Sequence, residues 1–426
     1  MREWPRGGLW RHPDFLRLWS AQTISQFGSQ VSQLALPLAA ILVLDASAFE
    51  VALLGTVEFL PFLLFALPAG VWVDRLRRKP ILVLGDLGRA LALGSIPVAY
   101  AFGALTIWQL YAVGFLVGVG TVFFDVAYQS YLPSLVDRRQ LVDGNSKLEI
   151  SRSGAALAGP GLAGVLIGAL TAPYAILLDA VSFVGSAGLI ARIQRTEILP
   201  EQTATRSMRR ELVEGLRYLL GHRFWRPLAL TVALSNFFNT LAFSIFLVYA
   251  VRDLDLSATV IGLTLGIGNV GWLLGAVAAN RLSARLGVGR TLVGSALVFG
   301  PALLLVPAAP QSQPLPFLVA ALILASFAGI VFNVTGLSFQ QAVTPDRLLG
   351  RLNATRRFIV WGVIPLGSLT GGALASIIGL RPTLWVGAIG GSLSFLPLLL
   401  SPVRSIGAME DAVRQHAPVQ SEVPDA

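Results

Sequence analysis

Apolar runs of about twenty residues alternate with short polar turns, and this pattern repeats about twelve times between Leu34 and Pro402. About 20 helical residues cross the hydrocarbon core of a bilayer, so each run predicts one membrane-spanning helix. The pattern therefore predicts an all-α membrane protein with twelve transmembrane helices. We place the spans at 17–44, 49–73, 81–102, 106–132, 146–169, 174–192, 227–251, 258–280, 289–308, 315–339, 354–378 and 382–401.

Charge is scarce and unevenly distributed. Only 13% of the residues are charged and 54% are hydrophobic, whereas a soluble domain carries about 25% charged residues. Of 32 Lys and Arg residues, only Arg252 and Arg381 fall in turns that alternate to the outside. Because Lys and Arg in short loops resist translocation, both termini are predicted to be cytoplasmic. We expect a multi-pass protein of the cell inner (cytoplasmic) membrane, and the dispersed basic residues argue against a nucleic-acid partner.

One long polar loop interrupts the regular spacing. It predicts a first six-helix bundle at 1–195, a linker at 196–226, a second bundle at 227–403 and a disordered cytoplasmic tail at 404–426. Within the linker, leucines fall on one helical face and arginines elsewhere, which predicts an amphipathic helix. The helix suits the inner membrane surface or a solvated connection equally well.

The two bundles repeat each other. At a displacement of 208 residues, four residues recur in register: Asn145, Gly154, Gly159 and Gly164 correspond to Asn353, Gly362, Gly367 and Gly372. A repeat of this kind favours duplication of a six-helix unit. Duplication provides two faces around one substrate site, whereas a channel needs a continuous pore and typically oligomeric symmetry. We therefore expect a monomeric transporter embedded in the lipid bilayer.

The loop between spans 2 and 3 carries the most specific motif, GVWVDRLRRKP at 70–80. With this motif, the helix count, the half-repeat and the central loop, the chain resembles the major facilitator superfamily. Its loop signature is a glycine, three residues, Asp-Arg and a basic cluster; Arg77 stands where the superfamily has a second glycine. The segments QSYLPSLVDRRQLVDGNS (129–146) and GPGLAG (159–164) resemble its drug-efflux branch, which includes macrolide exporters and the enterobactin exporter. The matching loop residues are Gly70, Asp74, Arg75, Arg78 and Lys79.

The resemblance implies the major facilitator fold of two pseudo-symmetric six-helix bundles, with an inner gate at this motif. Asp74 and Arg78 lie four residues apart and can pair, and Asp125 matches the acidic partner of that arginine in the superfamily. Such a pair is costly to break in a low-dielectric surrounding, so it can hold the inward-closed state. The alternative is a pair that only fixes topology.

Span 5 carries small residues suited to close helix packing. Gly159 and Gly164 allow a neighbouring helix to approach, and Pro160 permits a bend. Glycine-proline on this helix also marks the antiporters of the superfamily. The residues serve packing alone or packing together with gating.

Few carboxylates lie well inside the spans. Besides Asp125, these are Glu58 on span 2 and Asp179 on span 6, both candidates for proton coupling. A carboxyl in hydrocarbon is stable when protonated or paired, and a protonatable carboxyl is what proton coupling requires. Glu58 is favoured over Asp179, which lies near the outer end of its helix, where we expect water to reach it. Local ion pairs are predicted for Asp86–Arg89 and Glu149–Arg152.

Neutral polar side chains recur at helical spacing on several spans and must face protein or water. Amides flanked by aromatic rings suit a bulky amphiphilic ligand, while hydrogen bonds between helices are the alternative role. The candidate cavity residues are Gln26, Gln30, Gln33, Asn236, Asn239, Asn269 and Asn333.

These features predict a secondary transporter that exports an amphiphilic small molecule, such as a drug, macrolide or siderophore-like compound, by alternating access in exchange for protons. An importer or lysolipid flippase of the same fold is the main alternative, and a channel is a weaker one. The chain has no cysteine and no GxxxxGK[ST] loop, and its three histidines lie outside the spans. We therefore expect no cofactor, no metal site and no enzymatic activity.

Overall fold

The computed structural model describes residues 8–195, 197, 217, 219, 221–344 and 346–407, and this part of the chain contains helices and turns but no strand. Twelve long helices follow one another in these described residues. They are α1 (Pro13–Leu42), α2 (Ala48–Arg75), α3 (Arg78–Ala101), α4 (Ile107–Leu135), α5 (Leu141–Leu170), α6 (Ala172–Ala191), α7 (Trp225–Arg252), α8 (Ala258–Leu286), α9 (Val288–Ala308), α10 (Leu315–Val343), α11 (Asp346–Ile378) and α12 (Leu380–Leu399). Breaks interrupt α8 at Asn269 and α12 at Ser394 and Phe395.

Eleven of these helices, α2 to α12, contain a segment long and apolar enough to cross a membrane. The remaining one, α1, is 30 residues long, but its glutamines and serines make it more polar. The predicted all-α architecture is confirmed. Several helices continue past the predicted spans, as α11 does by beginning at Asp346, because polar residues extend a helix beyond its apolar stretch.

The chain forms two compact units. The first comprises residues 1–205, 243–267 and 364–383. In it α1 packs on α5 and α6, α3 packs on α4 and α6, and α2 packs on α4. A buried cluster that includes Leu18, Tyr131 and Leu132 forms part of its core.

Two close helix contacts in the first unit reflect the internal repeat. A Cβ on Gly164 of α5 would lie 2.7 Å from the Cα of Gly262 of α8, and a Cβ on Gly372 of α11 would lie 2.6 Å from the Cβ of Ala52 of α2. Ser368 Oγ also donates to the Ala52 carbonyl at 2.7 Å. Because Gly164 and Gly372 correspond at the displacement of 208 residues, equivalent residues make equivalent contacts.

The turns before α2 and α8 are also alike. Asp45 and Asp255 both have positive φ, 50° and 51°, a conformation that aspartate tolerates better than most residues. Two residues later, Ser47 and Ser257 accept a backbone N–H of the following helix at 3.3 and 3.4 Å. Serine at this position satisfies a free N–H of the first turn and so sets the start of the helix.

The second unit comprises residues 206–242, 268–363 and 384–426. Its α10 packs against α9 and against the second part of α8, where Gly271 and Gly275 lie directly against the backbone of Ile323 and Phe327. A buried cluster including Trp225, Leu292 and Phe339 forms part of its core. These units divide the chain differently from the predicted bundles, whose boundaries stay a prediction. The predicted amphipathic helix falls mostly outside the described residues.

Candidate functional site

The polar stripe of α1 lines a cavity within the first unit. The cavity has a volume of about 410 Å³, and α2, α3, α4 and α6 form its other walls. Gln26, Gln30 and Gln33, all predicted to line a cavity, are among its lining residues. Gly159 of α5 packs directly against Gln30 of this stripe, since a Cβ there would lie 2.4 Å from Gln30 Cγ. Close packing by Gly159 therefore supports the cavity wall.

Three carboxylates line the same cavity, namely Glu58 of α2, Asp125 of α4 and Asp179 of α6. Asp179 is only 1% exposed, so the expectation that water reaches it was wrong. Its Oδ1 accepts a hydrogen bond from Ser182 Oγ at 3.0 Å, and Gly28 of α1 passes close enough to cover it. The missing side chain at Gly28 thus allows α1 to cover this carboxylate where the helices cross, while the carboxylate also lines the cavity.

Two glycines of α4 determine where Glu58 lies. A Cβ on Gly118 would come within 2.6 Å of the Glu58 backbone oxygen, and one on Gly114 within 2.8 Å of its Cγ. Helices α2 and α4 can therefore approach closely at this point. The Oε1 atom of Glu58 is buried and has no hydrogen-bond partner among the described residues. A carboxyl oxygen in this environment is available to a proton or a bound molecule.

Arg89 of α3 lines the cavity as well, although the sequence pattern predicted only a local ion pair for it. That pair with Asp86 is present and buried, with 5% of Arg89 and none of Asp86 exposed. The guanidinium carbon lies 4.4 Å from the ring centre of Phe124 and 4.1 Å from that of Phe183. The comparable pair Glu149–Arg152 is also present but exposed. The depth of Arg89 within an apolar span was the missed signal, since an arginine there must face the protein interior.

The predicted gate motif has a different partner from the one expected. Arg78, the first residue of α3, pairs with Glu197, whose carboxylate also accepts its backbone N–H at 2.8 Å. Lys79 Nζ donates to the Ile193 carbonyl at 2.7 Å. Asp125, expected to pair with Arg78, instead lies in the cavity and interacts electrostatically with Arg89. That expectation was wrong because the segment after α6 supplies a nearer carboxylate.

Other residues of the motif lie where α2 ends. Gly70 lies in the penultimate turn of α2. Arg75 is the last residue of α2, and its side chain is exposed. Asp74 belongs to the same helix, but its side chain is not among those described, so its pairing with Arg78 stays a prediction.

A second cavity of about 380 Å³ lies within the second unit. Asn236 of α7 and Asn333 of α10 line it together with Phe299, Phe332 and Trp361. None of its described lining residues is charged. Two other predicted residues, Asn239 and Asn269, line neither cavity; Asn269 lies at the break in α8. Asn269 precedes the second part of α8 without making a side-chain cap hydrogen bond, and residue type alone does not reveal its position at a break.

The glycine-proline segment of α5 lies against α8. A Cβ on Gly262 would be 2.4 Å from the Pro160 carbonyl oxygen and 2.6 Å from the Cα of Gly164. The two backbones are therefore in direct contact, which accounts for close packing. Gating by this segment stays a prediction.

Twelve helices, most of them apolar enough to span a bilayer, and internal cavities lined by charged and amide groups define a multi-pass membrane transporter. The chain belongs to the family described as transmembrane secretion effector, whose model matches residues 9–424. The predicted resemblance to the drug-efflux branch of the major facilitator superfamily is confirmed.

Individual relatives agree. The chain is 26% identical to the multidrug efflux pump Tap of Mycolicibacterium fortuitum, over 88% of this chain and 91% of that protein. It is 24% identical to macrolide efflux protein A of Streptococcus pyogenes, over 86% and 90% of the two chains. A bacterial homologue of the iron transporter ferroportin, solved in an inward-facing state, has a TM-score of 0.74 at 19% identity and covers 91% of this chain and 98% of its own. The last comparison shows the fold alone.

Proposed function

We propose that this transporter exports an amphiphilic small molecule from the cytoplasm in exchange for protons, by alternating access. The observation that carries the proposal is Glu58, a carboxyl that lines the first-unit cavity and has one buried oxygen without a hydrogen-bond partner among the described residues. A carboxyl in such a place is stable when it holds a proton, and it can release that proton when the cavity opens to water.

The chemistry of the cavities supports an amphiphilic substrate. The first-unit cavity offers amide and hydroxyl groups from α1 beside the rings of Phe59 and Phe62. The second-unit cavity offers Asn236 and Asn333 among aromatic side chains. Amides in an aromatic surrounding bind polar groups while the rings cover an apolar body. The relatives whose names describe multidrug and macrolide efflux make drugs and macrolides the first compounds to test.

The proton step divides between three carboxyls in the proposed mechanism. Glu58 takes up a proton from the outside and releases it to the cytoplasm, while Asp125 and Asp179 stabilise the cavity in its neutral or charged form. Substrate and proton compete for one cavity when a cationic or hydrogen-bond-donating group of the substrate stabilises the ionised carboxylate, because that interaction favours loss of the proton. Competition of this kind couples the two movements.

Proteoliposomes with an imposed pH gradient test the proposal. Wild-type protein should drive uptake of ethidium or erythromycin when the lumen is acidic, and addition of either compound should release protons. Glu58→Gln mimics the protonated form, so gradient-driven transport should be lost while exchange of labelled compound persists. Glu149→Gln, on an exposed carboxylate of α5, is the matched control and should behave as wild type. Wild-type proton release by Glu58→Gln would contradict the proposed role of Glu58.

Membrane orientation and the inner gate belong to the same proposal. Both termini face the cytoplasm, the protein acts as a monomer in the inner membrane, and the motif around Asp74 and Arg78 stabilises the state closed to the cytoplasm. The ion pair of Arg78 with Glu197 ties the start of α3 to the segment after α6 and holds this part of the motif in place.

A further inference from the structure

The first-unit cavity contains more carboxylates than cations. Among its described lining residues, Glu58, Asp125 and Asp179 are acidic and Arg89 is the only basic one. Asp86, which forms an ion pair with Arg89, adds a fourth carboxylate. One guanidinium can neutralise one carboxylate at a time, so the remaining acids need protons or another cation whenever the cavity excludes water.

Arg89 is held in a way that leaves its hydrogen bonds incompletely used. The rings of Phe124 from α4 and Phe183 from α6 cover it at 4.4 and 4.1 Å. Nε has no partner among the described residues, and Nη1 makes only a long 3.4 Å bond to Thr121 Oγ1. Aromatic ring faces restrict movement of a planar guanidinium toward or away from the rings. They restrict its rotation within its own plane only weakly.

The backbone around Arg89 is shaped to accommodate its stem. A Cβ on Gly120 of α4 would lie 2.8 Å from Arg89 Cγ, so the absence of a side chain at Gly120 creates the channel through which the arginine reaches the cavity. Gly85 of α3 faces the same crossing, since a Cβ there would lie 3.5 Å from the Gly120 carbonyl.

The acids on the neighbouring helices lie within electrostatic range of the guanidinium. From α4 this acid is Asp125, from α6 it is Asp179, and on α3 itself it is Asp86. Glu58 faces the same cavity from α2, whereas the described lining residues of α1 are all uncharged, namely amides, hydroxyls and Leu36. An arginine among several acids can balance whichever of them is ionised.

We propose that Arg89 is the shared counter-ion of the first-unit cavity, paired with Asp86 in this conformation and competing with protons for Asp125 and Asp179. This inference rests on the proposed proton exchange and assigns it a positioning residue that sets the pH range over which the cavity loads protons. Without Arg89, Asp125 and Asp179 would hold their protons to higher pH and release them poorly to the cytoplasm.

Infrared titration of the purified transporter tests the proposal without any transported compound, because the C=O stretch of a protonated carboxyl reports its protonation directly. Loss of Arg89 would leave Asp86 unpaired, and Asp86 would then add its own titration to the signal. The comparison is therefore made between the single variant Asp86→Asn and the double variant Asp86→Asn with Arg89→Gln. The double variant should titrate at a pH higher by about one unit or more, the usual effect of removing an opposite charge nearby. Adding Asp125→Asn or Asp179→Asn should reduce that shift.

Matched variants separate the proposed role from a structural one. Arg152→Gln removes an exposed arginine from an ion pair of the same spacing and should leave the titration unchanged. Arg89→Lys keeps the charge and should restore most of the titration and the pH profile of ethidium transport, although it lacks the planar fit between the rings. If Arg89→Gln does not fold, Gly120→Ala displaces the arginine stem while keeping every charge, and it should also shift the titration.

Identical titrations with and without Arg89, or with and without a displaced stem, would overturn the proposal and leave Arg89 as a local ion pair. The infrared measurement does not depend on transport, so failure of this proposal can be distinguished from failure of the proposed function. A shift in the infrared titration together with normal proton release by Glu58→Gln would retain the counter-ion and refute the role of Glu58. No shift in the infrared titration together with lost coupling in Glu58→Gln would refute the counter-ion role of Arg89 and retain the role of Glu58.

Discussion

Replacing Gly118 with alanine should destabilise the transporter and impair transport, although alanine is the better helix former. The Cβ of alanine would lie 2.6 Å from the Glu58 backbone oxygen and 2.9 Å from Pro61 Cγ. A backbone oxygen and a proline ring cannot rotate away as a flexible side chain does. Helices α2 and α4 must therefore separate by about 0.8 Å to reach the ordinary contact distance of 3.4 Å.

Two opposing terms set the size of the effect. Inserting a methyl group into a tight contact costs about 1–3 kcal/mol. Alanine returns about 1 kcal/mol through its helix propensity. The two terms leave a net loss of up to about 2 kcal/mol in the free energy of unfolding, which is a large fraction of the stability of a typical protein. Because the separation moves the backbone that carries Glu58, gradient-driven transport should also fall several-fold.

Equilibrium unfolding in mixed micelles, followed by tryptophan fluorescence, measures the first effect, and uptake of ethidium into proteoliposomes measures the second. The control is Gly188→Ala on α6, where nothing lies within 4 Å of the added Cβ, so only the propensity gain remains. An unfolding free energy for Gly118→Ala equal to or above that of Gly188→Ala would refute the contact between α2 and α4.

Three further outcomes are expected. Tags at Ala104 and Gln311 should react only from outside and a tag at Arg347 only from the cytoplasm, because of the positive-inside bias, and an externally reactive Arg347 in intact cells would reverse the orientation. Glu197→Gln should lower the free energy of unfolding by about 1 kcal/mol, since the carboxylate accepts backbone N–H groups at the start of α3, and an unchanged urea or detergent midpoint would contradict this. Burial lowers the pKa of His12, whose neutral Nδ1 accepts the backbone N–H of Phe15 at 3.1 Å. The stability that His12 contributes should therefore be complete above about pH 6.5 and decline as the pH falls toward the folded-state pKa. His12→Asn should keep the cap and lose this decline, which a series of melting curves across pH would measure.

The proposed gate adds a transport test. Asp74→Asn should abolish gradient-driven transport while ligand still binds, because the substitution weakens the state closed to the cytoplasm. Combining it with Arg78→Ala should cost less than the sum of the single changes if the two residues act as one pair. Additive losses would indicate that Arg78 acts through Glu197 instead, its partner in the structure.

Much of the architecture was predictable from local features of the chain. Membrane insertion depends on apolarity over about twenty residues, which is a property of each segment alone, so the spans and the all-α class follow from the sequence. The loop motif that begins at Gly70 and the glycines on span 5 identified the family for the same reason, since their spacing is local. The glutamines of α1 had to face away from lipid, and all four of them line the cavity.

The partners of the charged residues depended on tertiary structure. Arg78 could pair with Asp74 by spacing, but the segment after α6 brings Glu197 to it from 119 residues away. Arg89 has the same spacing to its acid as Arg152 has to its own, yet helix rotation and the missing side chain at Gly120 place it in a cavity beside two aromatic rings. The sequence determined the membrane architecture and the available charges. Charge interactions act through space and depend on which helix faces meet, so only the packed helices decided which acid each arginine pairs with.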